Sequence, residues 1–143
     1  MARDLWEENL SVGVDVIDEQ HKMLLSRLSE LSESVSQRRG SGQIVGTLSF
    51  LSDYVDFHFG TEERHMTAND YPGYEEHKAA HEEFKRTLKR LSDDFEEEGA
   101  TTGLADSINT LLINWFLKHI RQVDQQLGRF FREKGVDVTA ESE

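Results

Sequence analysis

The chain has 143 residues, 36% of them hydrophobic and 31% charged, with a formal net charge of −12 and no cysteine. That length suits one domain, 1–143, able to bury a real core. The charge argues against nucleic acid or an anionic membrane as partner, because both need a basic patch. The missing cysteine excludes thiolate metal sites, iron–sulfur clusters and cysteine nucleophiles, and fits a reducing cytoplasm.

A single proline and few β-branched runs favour an all-α chain. Residues 1–10 are mixed and acidic rather than a leader. Residues 1–16 show no helical period; with Trp6, Gly13 and alternating Val12, Val14 and Val16 they are expected to form an extended N-terminal arm anchored by Trp6. A first helix is expected over 18–37, where Ile17, His21, Leu24, Leu28, Leu31 and Val35 recur at steps of four and three. Gly40-Ser41-Gly42 breaks the chain, and Ser41 can cap a second helix whose stripe is Ile44, Leu48, Leu51, Val55, His58, Glu62 and His65. A strong turn at 69–73 leads to a third helix carrying Tyr74, His77, His81, Phe84, Leu88, Leu91 and Phe95. After a loop at 99–103, a fourth carries Ile108, Leu112, Trp115, His119, Val123, Leu127 and Phe130. Gly135 ends it, and 136–143 is expected to be a frayed, flexible tail. The longest apolar run, Leu111-Leu112-Ile113, is far too short to span a bilayer. Four helices with short connections predict an up-down-up-down four-helix bundle.

Histidines and carboxylates interrupt these apolar stripes, and a buried polar group without a partner costs about 1–3 kcal/mol. In the predicted topology His21, His58, Glu62, His77, His81, His119 and Asp124 all fall toward one end of the bundle. His58/Glu62 and His77/His81 are i, i+4 pairs, about 40° apart around a helix. His119/Asp124 is i, i+5, about 140° apart on a regular α-helix. Convergence there requires a local π-type turn or a side chain reaching in from the edge. Five imidazoles and two carboxylates exceed the four ligands of a tetrahedral zinc. They suit two octahedral first-row ions bridged by carboxylates, with iron, copper, zinc and nickel all compatible. If the ions are iron and share a hydroxide, O2 can take one electron from each ion and the proton from the bridge, binding as hydroperoxide with the formal charge of the site unchanged.

These stretches resemble the hemerythrins, particularly the bacterial ones, from about Trp6 to Phe131. The matching segments are Trp6 and Gly13-Val14-Asp15 with Asp18-Glu19-Gln20-His21; His58-Phe59-Gly60-Thr61-Glu62-Glu63 through Met66; Tyr71-Pro72-Gly73 with His77 and His81; and Trp115, His119, Ile120 and Asp124. The resemblance implies reversible O2 binding at a non-haem di-iron centre, for storage, delivery or sensing, with no catalytic residue. It implies two Fe ions, Fe2+ or Fe3+, bridged by oxo or hydroxo and two carboxylates. One iron takes His77, His81 and His119; the other takes His21 and His58 and keeps an open position for O2; Glu62 and Asp124 bridge them. By matching position, Phe59, Trp115, Phe116 and Ile120 surround that open position, Phe116 being bulkier than the aliphatic residue common there.

Each residue also has a plainer reading. A lone histidine on an apolar stripe is more often a satisfied core residue than a ligand. His65 shares the face of His58 but lies about 10 Å further along, and is read as a helix-end residue or one that backs a ligand. Gln20, Gln122 and Gln125 are the candidates for holding a ligand imidazole from behind. Three rival functions stand beside O2 binding. A ferritin-like di-iron oxidase would use mainly glutamates, a signalling module would place the bundle inside a larger sensor, and a structural bundle would hold no metal. With no second domain after the fourth helix, the chain is expected to be freestanding or excised. It is expected to be a monomer, serving an O2-consuming enzyme or a fused signalling domain.

Overall fold

The computed structural model describes residues 4–139. Three of its helices are α1 (Asp15–Ser36), α2 (Ser41–Ala68) and α3 (Tyr74–Glu98). The fourth, α4, runs through 102–134 as five successive stretches: Thr102–Ser107, Ile108–Asn114, Trp115–His119, Ile120–Asp124 and Gln125–Lys134. The second and fourth of these are π-helical. α1 packs on α2 and α4, and α3 packs on the same two, so the four helices form the expected closed bundle. Among the described residues no helix is long and apolar enough to cross a membrane.

The expected apolar stripes of α1, α2 and α3 are buried as read, from Ile17 and Leu24 through Leu51 and Val55 to Phe84 and Phe95. The stripe of α4 is buried at Ile108, Leu112, His119 and Leu127 but not throughout. Val123 and Phe130 are only half-buried, whereas Phe116, Ile120, Asp124 and Phe131 are buried. The inward face of α4 follows Ile108, Leu112, Phe116, Ile120 and Asp124, a strict step of four. On a 3.6-residue helix each such step drifts by about 40°, so an α-helix would carry that face away from the core within a few turns. Two π stretches, with their wider turns, hold it in place.

Helix starts differ from the sequence reading for local reasons. α1 begins at Asp15 because the chain turns at Gly13, in the left-handed region at φ +78°. Ser41 is the first residue of α2 rather than its cap, Gly40 holding the cap position without a side-chain bond. α4 begins at Thr102, where Thr101 Oγ1 accepts from the Leu104 N–H at 3.0 Å.

The N-terminal arm is present but is held differently. Trp6 is half-buried, with the Lys22 ammonium 5.2 Å from its ring centroid. The anchors are Leu10 and Val12, both fully buried, turned inward by a short 3-10 helix at Glu8–Leu10. Asp18 reaches back from α1 to accept from the Val12 N–H at 2.9 Å and from Ser11 Oγ at 2.5 Å. Gln125 donates to the Ser11 carbonyl at 2.9 Å. At Gly128 the arm lies directly on α4: a Cβ there would sit 2.4 Å from the Val12 carbonyl oxygen.

The expected tail is also corrected in part. Val138 is buried, the Thr139 N–H donates to His65 Nε2 at 3.2 Å, and its carbonyl accepts from Arg64 at 3.0 Å. Apolar burial and two hydrogen bonds therefore hold 136–139 against α2. The remaining tail positions, 140–143, and the first three residues of the arm lie outside the described residues.

Candidate metal centre

All seven candidate residues meet in one buried cluster. His21 enters from α1, His58 and Glu62 from α2, His77 and His81 from α3, His119 and Asp124 from α4. The i, i+5 pair converges because Ile120–Asp124 is the second π stretch. Of the two routes the spacing allowed, the helix takes the π turn.

The carboxylates divide the histidines into two groups. Glu62 Oε1 faces Nε2 of His81 at 3.1 Å and of His77 at 3.3 Å, while Oε2 faces Nε2 of His58 at 3.3 Å and of His21 at 3.7 Å. Asp124 Oδ1 faces His77 at 3.0 Å and His119 at 3.4 Å, while Oδ2 faces His21 at 3.0 Å. The result is a three-histidine half and a two-histidine half, each carboxylate presenting one oxygen to each. Ligand atoms from Glu62, His77, His81, His119 and Asp124 lie within 4.8 Å of one another, as do those from His21, His58, Glu62 and Asp124.

These contacts are close but are not hydrogen bonds. Nε2 of all five histidines and all four oxygens of Glu62 and Asp124 lack a hydrogen-bond partner. So do Nδ1 of His21 and His77. Buried polar atoms in folded proteins are otherwise nearly always satisfied. Groups that crowd together without bonding to each other point at shared space. Bonds of about 2.0–2.2 Å to a first-row ion put adjacent octahedral ligand atoms about 3.0 Å apart and opposite ones about 4.2 Å apart. The observed separations match that spacing, so the donor set fits a pair of ions.

The electrostatics agree. Burial and the nearby Glu62 push the Asp124 carboxyl upward, but His119 and His21 hold it well below the usual range. Burial acts likewise on Glu62, and His58, His21 and His77 outweigh it. Burial opposes charge on His21, yet Asp124 and Glu62 raise it to about 9. The same balance raises His77 to about 10. Burial keeps His58 below its ordinary value despite Glu62. Without ions the two carboxylates draw protons onto His21 and His77, which burial alone would keep neutral.

Two of these imidazoles are held from behind by side-chain hydrogen bonds. Gln20 Oε1 accepts from His58 Nδ1 at 2.7 Å, and Glu63 Oε2 accepts from His81 Nδ1 at 2.8 Å. Of the three glutamine candidates, Gln20 fills the role, Gln125 holds the arm, and Gln122 is exposed. The role of Glu63 was missed. Its signal was the adjacent Glu62-Glu63 pair, which on a helix must point about 100° apart, one inward and one toward a neighbour. His65 is no part of the cluster: Nδ1 donates to the Thr61 carbonyl at 2.8 Å and Nε2 accepts from Thr139.

Of the four pocket candidates, Phe116 lies edge-on to His21 and His58, with ring centroids 5.4 and 6.4 Å away. Ile120, four residues after Phe116 on α4, is fully buried. Phe59 stacks on His81 at 3.8 Å, with His58 at 5.6 Å. Trp115 stacks on His119 at 4.8 Å and touches Phe84. Trp115, like Phe59, thus stacks on a histidine of the three-histidine half.

A four-helix bundle that closes a histidine–carboxylate cluster inside one end defines a class of helical metal-centre folds. A family model for the hemerythrin HHE cation-binding domain matches residues 12–131, and the chain belongs to the hemerythrin family. It is 32% identical to a bacteriohemerythrin of Stenotrophomonas maltophilia, over 93% of this chain and 90% of that protein. A bacteriohemerythrin of Pseudomonas aeruginosa is also 32% identical, over 87% of this chain and 78% of that protein. A myohemerythrin of Theromyzon tessulatum is 28% identical over 83% and 86% respectively. A solved crystal structure of a leucine-to-phenylalanine mutant superposes with a TM-score of 0.79 at 28% identity, covering 90% of this chain and 97% of that one.

Proposed function

We propose that this chain, as a single hemerythrin-like domain, binds O2 reversibly at a non-haem di-iron centre. The observation carrying the proposal is the convergence of five unpaired imidazole nitrogens and four unpaired carboxylate oxygens on two shared spaces. His77, His81 and His119 would hold one iron, His21 and His58 the other, with Glu62 and Asp124 bridging both beside an oxide or hydroxide. Two such irons supply a reversible two-electron store for O2. The two-histidine half has one protein ligand fewer, and so offers the open position.

The protein's own contribution is preorganisation and exclusion of water. Gln20 and Glu63 fix which nitrogens of His58 and His81 face the site. Phe116, Phe59 and Ile120 keep the surroundings dry, so a small apolar molecule is favoured over water there. Five neutral imidazoles and only two anionic ligands suit reversible binding better than the glutamate-rich sets of di-iron oxidases. The proposal is accordingly a binding protein, cytoplasmic and monomeric, for O2 storage, delivery or sensing.

Purified protein should contain about two irons per chain. Reduced and exposed to air, it should gain a visible absorption that disappears under argon. Fewer than two irons, or bleaching that argon does not reverse, would sink the proposal; turnover of an added substrate would favour the oxidase.

A further inference from the structure

We infer that Glu63 is a positioning residue that biases metal occupancy toward the three-histidine half of the centre. The inference rests on the two-metal reading above and concerns a difference between two hydrogen bonds. His81 Nδ1 is held by a carboxylate, Glu63 Oε2, at 2.8 Å. His58 Nδ1 is held by an amide, Gln20 Oε1, at 2.7 Å. Both bonds place Nε2 toward the shared space, so both fix the tautomer that can ligate. Only one carries charge.

A carboxylate accepting from one ring nitrogen makes the other a stronger donor to a cation, and it adds a negative charge close behind the ligand. The Glu63 side chain is only 15% exposed, so water screens it weakly; Lys78, with Nζ 3.8 Å away, is 43% exposed and a weak counterweight. Gln20 is buried and neutral. Its Nε2 lies 3.5 Å from Thr61 Oγ1, which turns the amide oxygen toward His58. Ligand count already favours the three-histidine half by one imidazole, and the charge behind His81 widens that gap. The first ion therefore enters beside His77, His81 and His119; the second enters beside His21 and His58 and leaves first.

Metal-free protein titrated anaerobically with Co(II) in a calorimeter reads the two steps separately. Wild type should take two equivalents, the first more tightly. Glu63→Gln keeps an acceptor and removes the charge; it should weaken the first step about tenfold or more and leave the second nearly unmoved. Gln20→Glu should tighten the second step by a similar factor, closing the gap from the other side. Helicity by circular dichroism checks that each variant folds. If Glu63→Gln leaves both steps in place, or weakens both equally, the inference is overturned while the two-metal reading stands; an unmoved second step in Gln20→Glu overturns it as well. Wild type taking fewer than two equivalents would fell the underlying reading instead.

Discussion

At the scale of single residues, the two histidines of α2 that share a face divide cleanly. His58 has an orphan Nε2 in the cluster, whereas both nitrogens of His65 are satisfied by backbone. His77→Ala should therefore lower bound iron below two per chain and abolish the air-dependent absorption. His65→Ala should leave both intact and cost only about 0.5–1.5 kcal/mol for each lost hydrogen bond. Metal analysis and a urea melt separate the two; equal metal loss would mean the ligand set is wrong. Phe116, fully buried beside His21, is the residue that shapes the two-histidine half. Phe116→Ala should destabilise the protein by about 3–5 kcal/mol and speed O2 release in stopped-flow, since the vacated volume adjoins His21 and His58, where O2 is proposed to bind. An unchanged release rate would place the entry route elsewhere.

Among the elements, α1 to α3 were legible because their apolar steps of three and four are those of an ordinary α-helix. α4 was misread at Trp115, Val123 and Phe130, though not at His119 or Leu127, because a 3.6-residue period was assumed where the buried face repeats every four. The repeat was visible in Ile108, Leu112, Phe116, Ile120 and Asp124, but a π stretch has no residue signature of its own. The arm was legible as an extended segment and its anchor was not. Trp6 is the largest apolar residue there, yet burial was decided by Asp18 gathering Ser11 and Val12 onto α1. Gly128 is the counterpart on α4. Gly128→Ala pushes a methyl into the Val12 carbonyl and should cost about 1–3 kcal/mol as overpacking, or lift the arm and bring protease cleavage near residue 12. Unchanged stability and resistance would show that the arm is not seated there.

Over the whole molecule, the cluster was legible in the sequence because ligand chemistry restricts residue types and helix direction restricts depth. The groups that hold His58 and His81 from behind were not, because any nearby carboxylate or amide could have filled that role. The cluster also sets how stability responds to pH. In metal-free protein His21 and His77 bind protons more tightly folded than unfolded, with values raised to about 9 and about 10. Their stabilisation is complete below about pH 6.5 and is lost as pH rises through 9 and 10. Glu62 and Asp124, held low, stabilise above about pH 4.5 and lose that effect on acidification. Metal-free protein should thus be most stable near pH 5–6.5. Ligation needs neutral imidazoles and releases protons, so metal binding tightens as pH rises. The gain in Tm on loading should be larger at about pH 9 than at about pH 6, and equal gains in calorimetry would contradict this account. The bond from Gln125 to the Ser11 carbonyl joins positions 114 residues apart, and His119 and Asp124 lie on the same last helix. A chain still emerging from the ribosome with only α1 to α3 complete lacks His119 and Asp124. The cluster is completed only by the last of the four helices, the one that also fastens down the arm ahead of α1.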